Sequence, residues 1–217
     1  MNQFEQEPTE SLYDAILDEI SSGRLVGGQR LKISDLSKRF GVSTSPVREA
    51  LRQMQGEGFV DIHPNRGAII KQADASTIEN IFEVLRLLEP YFVSWFAENA
   101  GPAALRELRN VQERLRAAPT ADMLVFRKLD AQFHSLICSH HYNDVAADTW
   151  KKLRKALNVH AAPLRISKAR HRMILQEHDA LIDAFEANDV EEAGRVIRRH
   201  VDGSIVQMSQ QMRALGM

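Results

Sequence analysis

The sequence predicts a mainly α protein in two parts, an N-terminal winged helix-turn-helix followed by an all-α antiparallel helical bundle. Two observations carry this expectation. Between Ser34 and Lys71 a short helix, a tight turn, a proline-started helix and a two-stranded ribbon follow one another with almost no spare residues. After the short polar stretch Gln72–Thr77, apolar residues recur at helical spacing to the C-terminus with no strand-like alternation. That change of character divides the chain into a DNA-binding domain at 1–72, a linker at 73–77 and a helical domain at 78–217.

Each element has a local reason. Leu12, Ile16 and Ile20 give an amphipathic helix from about Thr9 to Ser22, ended by Gly23, with a turn at Gly27-Gly28. Ser34 is placed to cap a helix that runs through Phe40 and stops at Gly41. Ser45-Pro46 begins the next helix, because proline tolerates the first helical position, where its N–H is not needed. Val47, Ala50, Leu51 and Met54 form its core face, and Arg48 and Arg52 fall on another. Two apolar runs, 59–62 and 68–70, bracket a proline-glycine tip and read as a hairpin. The body reads as helices at 75–99, 102–117, 121–140, 143–160, 170–187 and 189–213, separated by breaks such as Gly101-Pro102 and Asn188-Asp189.

Composition narrows the function classes. A chain of 217 residues can bury a real core. No apolar run approaches the roughly 18 residues of a membrane span, and the polar N-terminus is not a signal peptide. Cys138 is the one cysteine, so no internal disulfide forms and a reducing cytoplasm is the expected location. Net charge is −1, yet the segment from Gly23 to Lys71 holds nine cations against four acids. That local excess is the electrostatic footprint of a module that meets double-stranded DNA.

A helix N-terminus aimed into the major groove brings backbone N–H groups to phosphate and short side chains to base edges. Ser34, Ser43, Thr44 and Ser45 suit such an entrance. Arg48 can reach a phosphate or a guanine, Arg52 a phosphate, and Arg66 beside Gly67 at the hairpin tip a minor groove or the backbone. The plainer reading of these arginines is a solvated face. The order of elements favours the DNA reading.

The helical body carries a second anomaly. Phe126, Leu129, Asp130, Phe133, His134 and Ile137 share one core-facing stripe, with a carboxylate and an imidazole inside it. A buried, unpaired carboxylate is very unfavourable, so Asp130 needs a cation. His178 shares a face with Ile174, Leu181 and Phe185, and His200 with Val196, Ile197 and Val201. The two histidines lie at similar distances on either side of the turn near Asn188, hence at similar height on antiparallel helices. One carboxylate and three imidazoles make an N₃O site for one divalent zinc, nickel, manganese or iron ion, zinc or nickel favoured. The plainer readings are core histidines satisfied by carbonyls and an Asp130–His134 ion pair. His63, His140, His141, His160 and His171 read as surface or turn residues.

The head, from about Leu12 to Lys71, resembles the GntR family of bacterial transcription regulators, most strongly at FGVS, SPVREAL, EGFV and RGA. Gly27-Gly28 stands where the family usually has proline-glycine, and Thr44 where it commonly has arginine. The body resembles the FCD ligand-binding domain of the FadR subfamily at FEVLRLLEP (82–90), at Asp130 with His134, at Asn143, and from Arg170 through His178 to His200. In that family an aspartate and three histidines bind a divalent metal, and all four are present here. The resemblance implies an effector, expected to be a small carboxylate such as a hydroxy- or keto-acid that fills the remaining metal positions. Arg170 matches a family arginine near the site, and Arg86, Asn143 and Arg165 complete the candidate effector contacts. Arg86 adjoins Leu85, which stands where the family often has arginine. The expectation is a cytoplasmic, homodimeric, ligand-responsive regulator, acting as a repressor, that is not an enzyme. Two alternatives are a metal-dependent enzyme acting on a small carboxylate and a regulator with a purely structural metal. No HExxH-type motif supports the enzyme.

Overall fold

In the computed structural model, described here for residues 11–63, 67–72, 74–119 and 122–216, the chain divides into two compact units, Met1–Ala73 and Asp74–Met217. The first holds helices α1 (Leu12–Ser21), α2 (Ile33–Phe40) and α3 (Thr44–Gly56), with strands β1 (Arg30–Leu31), β2 (Val60–His63) and β3 (Gly67–Ile70). The second holds α4 (Ala75–Asn99), α5 (Pro102–Ala117), α6 (Met123–Ser139), α7 (Asp144–His160), α8 (Lys168–Glu186) and α9 (Val190–Ala214). No described helix is long and apolar enough to cross a membrane.

The head is built around α3, which packs on α1, α2 and β2. Val47, Leu51 and Met54 are buried at 2% exposure or less, so the face expected to be core is core. Helix starts differ from expectation by a residue or two. Lys32 occupies the cap position of α2 without a side-chain bond, which puts Ser34 inside the first turn, its hydroxyl on Asp35 at 3.2 Å. α3 begins at Thr44 after Ser43, so Pro46 falls third in the helix, still among the N–H groups that lack intrahelical acceptors. The expected start of α1 at Thr9 lies outside the described residues; Ser11 caps the helix as it stands, accepting from the Asp14 N–H.

The hairpin gains a third strand that its sequence did not announce. The sheet order is β1-β3-β2, all antiparallel, with Leu31 opposite Ala68 and His63 opposite Gly67. Gly67 has φ +83°, and a Cβ added there would run into the Leu31 carbonyl oxygen. Gly67→Ala is therefore expected to cost the head on the order of 1–3 kcal/mol, since it combines a left-handed backbone with a clash in the sheet. Chemical denaturation monitored on the head should show this loss, and parental stability would mean that β1 does not hold the wing.

α4 spans Ala75–Asn99, the range its helical spacing predicts, and Asp74 caps it by accepting from the Thr77 N–H at 2.8 Å. Pro102 opens α5 at its first position, where a missing N–H costs nothing. α4 carries Pro90 in its interior. The core of this unit runs through Phe92, Phe96, Phe133, Leu181, Phe185, Val196 and Ile197, drawn from α4, α6, α8 and α9. These same helices bring the polar residues of the next section together.

Candidate metal centre and nucleic-acid interface

Asp130, His134, His178 and His200 each offer one ligand atom, and these four atoms lie within 4.8 Å of one another. α6 supplies the first two residues, α8 the third and α9 the fourth. The three histidines are buried, while the Asp130 side chain keeps 17% exposure. Asp130 Oδ1 sits 3.7 Å from His178 Nε2. Asp130 Oδ1, His134 Nε2 and His178 Nε2 are all buried without a hydrogen-bond partner. Buried polar atoms are normally paired, so orphans converging on one point call for a ligand.

The other side of each ring explains why these atoms are acceptors. His134 Nδ1 lies 3.1 Å from Glu89 Oε2, and His200 Nδ1 lies 2.9 Å from Glu177 Oε2. His178 Nδ1 lies 3.2 Å from Gln112 Oε1. The Gln112 amide is oriented by its own NH₂, which donates to the Leu175 carbonyl and to Asp179, both at 2.9 Å. All three partners are acceptors, so each ring carries its proton on Nδ1 and turns a bare Nε2 inward. A carboxylate or amide behind each ligating imidazole is the arrangement that fixes tautomer and orientation for a metal.

The outer partners are themselves held. Glu89 accepts from the Trp150 indole at 2.7 Å, and Glu177 from Arg170 at 3.0 Å. Burial opposes the charge of Glu89, but His134, Arg154 and the indole outweigh it and bring its pKa to about 2. Burial likewise opposes ionisation of Glu177, and His200 and Arg170 overcome it. Asp130 is held well below the usual carboxylate range, against burial, by Arg154, which donates to its Oδ2 at 2.7 Å. Burial pushes His178 well below its ordinary value and also lowers His200. Neutral imidazoles beside a fixed carboxylate are ready-made ligands. His178 also stacks flat on Phe133, with centroids 3.9 Å apart.

The donor set fits a divalent cation, and Asp130, His134, His178 and His200 would hold it. When bound, such an ion supplies Lewis acidity and open positions for an oxygen ligand. The protein's own part is orientation of three Nε2 atoms and one carboxylate oxygen.

The remaining candidates scatter. Arg170 is buried behind His200, its guanidinium donating to Glu177, to the His200 carbonyl at 2.7 Å and to Ser204 at 3.1 Å. Arg86 is exposed and paired with Asp202 at 2.9 Å. Arg165 is exposed, with its carbonyl held by Gln207. Asn143 caps α7, accepting from the Ala146 N–H at 3.0 Å. Among the four, only Arg170 touches the cluster, and it does so as a brace. Glu89, Gln112, Arg154 and Glu177 were not singled out from the sequence as members of the site. Three other histidines are buried where surface positions were expected. His141 packs among Tyr91, Phe92, Trp95 and Tyr142, and His171 lies 4.3 Å from Phe126. Each behaves as a neutral aromatic ring, its pKa lowered by burial. His160 is also buried, at the end of α7.

On the head, Ser43, Thr44, Ser45, Arg48 and Arg52 are exposed along the start and outer face of α3. Arg48 and Arg52 enter no ion pair among the described residues, whereas Arg24 and Arg39 both bind Glu19 and Lys71 pairs with Asp61 at 3.6 Å. Arg66 lies outside the described residues. A winged module with an uncommitted cationic helix face, followed in the chain by a bundle enclosing a candidate metal centre, defines a DNA-binding transcriptional regulator. Residues 8–70 match the family model of bacterial regulatory proteins, gntR family, and residues 80–203 match the FCD domain. The chain belongs to the FCD family, with a GntR-type head.

Relatives agree. The chain is similar to the HTH-type transcriptional regulator YdhC of Bacillus subtilis (strain 168), at 26% identity over 195 residues, covering 87% of this chain and 85% of the relative. It is similar to the HTH-type transcriptional repressor RspR of Escherichia coli (strain K12), at 22% identity over 201 residues, covering 90% and 86%. Its fold matches the solved structure of E. coli McbR/YncC with a TM-score of 0.81 at 22% identity, covering 92% and 96% of the two chains. YdhC is named a transcriptional regulator and RspR a transcriptional repressor.

Proposed function

We propose that this chain is a homodimeric, metal-loaded repressor whose affinity for operator DNA responds to a small organic acid bound at the metal. The observation that carries the reading is the convergence of orphaned Asp130 Oδ1, His134 Nε2 and His178 Nε2 with His200. Four protein donors leave two positions on a six-coordinate ion, which suit the two oxygens of a hydroxy- or keto-acid. The effector works only through its differential affinity for two arrangements of the protein. Glu89 and Glu177 are both spent on imidazoles, which leaves neither as a general base and disfavours catalysis. The name of the relative RspR supports repression.

The dimer face is the apolar stripe Val84, Leu87 and Tyr91 on α4, beside Tyr142 and Val145, all exposed. A second copy is its occupant, because paired reading helices on a near-palindromic operator require a two-fold symmetric protein. The test is thermal unfolding against a panel of small hydroxy- and keto-acids, with metal and with chelator. An acid at about 100 times its Kd should stabilise the metal-loaded chain by about 2.7 kcal/mol and the chelated chain not at all. Equal shifts in both conditions, or none in either, would remove the sensing role and leave the metal structural.

A further inference from the structure

A glycine inside a helix is destabilising relative to alanine, and α9 contains two, Gly194 and Gly203. Their surroundings differ. A Cβ on Gly194 would approach the Arg198 guanidinium at 3.4 Å, the far end of a flexible, exposed side chain. A Cβ on Gly203 would lie 2.7 Å from Arg170 Nη1 and 2.9 Å from its Cζ, closer than real carbon contacts come. Arg170 has no room to retreat. It is 4% exposed and donates to Glu177, the His200 carbonyl and Ser204. Glu177 in turn accepts from His200 Nδ1 at 2.9 Å. A line of contact thus runs from the bare backbone of Gly203, through a guanidinium and a carboxylate, to one of the metal-facing imidazoles.

We propose that Gly203 is a positioning residue for the metal centre, its missing side chain forming the notch that seats Arg170 so that Glu177 can fix the His200 ring. The inference rests on the metal reading above. A methyl at this position displaces the guanidinium, Glu177 loses its brace, and the His200 ring loses the acceptor that holds its tautomer and aim. Outer partners of metal ligands are commonly worth 10–100-fold in metal affinity, so the notch, acting through such a partner, is expected to fall in that range.

The test is titration of cobalt(II) into the full-length, metal-stripped chain, followed by ligand-field absorption, with zinc affinity measured against a chromophoric chelator. The parent and Gly194→Ala bind one ion per chain with the same spectrum. Gly203→Ala binds about 10–100-fold more weakly with an altered spectrum. Parental affinity and spectrum in Gly203→Ala overturn the proposal. A double variant separates positioning from general damage, because the slimmer Arg170→Lys ammonium leaves space for the new methyl and still reaches Glu177. Gly203→Ala combined with Arg170→Lys should match Arg170→Lys alone within about twofold, since the two changes act on one contact. If the losses instead multiply, or if a Gly203→Ala chain that fails to fold is not restored by Arg170→Lys, Gly203 acts elsewhere and the proposal falls. A parent that takes up no cobalt overturns the metal reading itself, and the notch with it.

Discussion

His178→Ala is expected to abolish stoichiometric metal binding, with a loss in affinity above about 100-fold. The bound for a ligand is set by what its supporting partners are worth, since deleting an outer partner alone costs 10–100-fold. His178 is fully buried, its Nε2 has no hydrogen-bond partner, and its Nδ1 is fixed by a Gln112 amide that two further bonds hold in place. No described histidine, cysteine or acidic residue outside the four adds a donor to the cluster. The variant also removes a ring stacked on Phe133 and leaves a cavity, so apo stability falls too. The two effects are separable. In the parent, a metal at 1,000 times its Kd stabilises the fold by about 4 kcal/mol relative to chelator. In the variant that metal-dependent increment vanishes, whatever the cavity costs. Unfolding curves with and without chelator, together with elemental analysis, measure both. One bound ion per variant chain would show that His178 is a core residue and not a ligand.

The four donors were legible because each breaks an apolar stripe at helical spacing: Asp130 and His134 among Phe126, Leu129, Phe133 and Ile137, His178 between Ile174 and Leu181, and His200 among Val196, Ile197 and Val201. Glu89 obeys the same rule between Leu85 and Phe92, as does Gln112 between Leu108 and Leu115. Their interruption was visible. Their partners were not, because His134 and His178 are 45 and 66 residues away, and pairing at that range is decided by helix register within the bundle. Arg154 carried no signal at all. It stands among Lys151, Lys152 and Lys155 on a helix rich in cations, and only the fold turns its guanidinium onto Asp130. β1 escaped because two residues cannot show alternation, and its strand character comes wholly from pairing with β3. His141 and His171 escaped for another reason. A neutral imidazole can be buried by aromatic neighbours with no charge to balance, so its sequence context need not look polar or paired.

The head's sequence shows many arginines, and the structure ranks them. Arg48→Ala is expected to weaken operator binding by about 1–3 kcal/mol, roughly 5- to 150-fold at fixed salt, with metal content unchanged. Arg48 stands on the exposed face of α3, one turn from an entrance of small hydroxyl side chains, and no described carboxylate holds it. Its charge remains available to DNA. Arg24 and Arg39 present a contrast, since both are drawn onto Glu19 and bring little net charge to a phosphate. Their alanine variants should therefore change affinity less than Arg48→Ala does, although all three remove one formal cation. Arg52, another turn along, should act as a phosphate contact: its loss weakens binding to every sequence alike and reduces the salt slope by about 1. Titrations of the operator and of scrambled DNA at several salt concentrations separate these cases. Equal losses for Arg24→Ala and Arg48→Ala would mean that net charge alone governs binding, and that α3 is not the element that reads sequence.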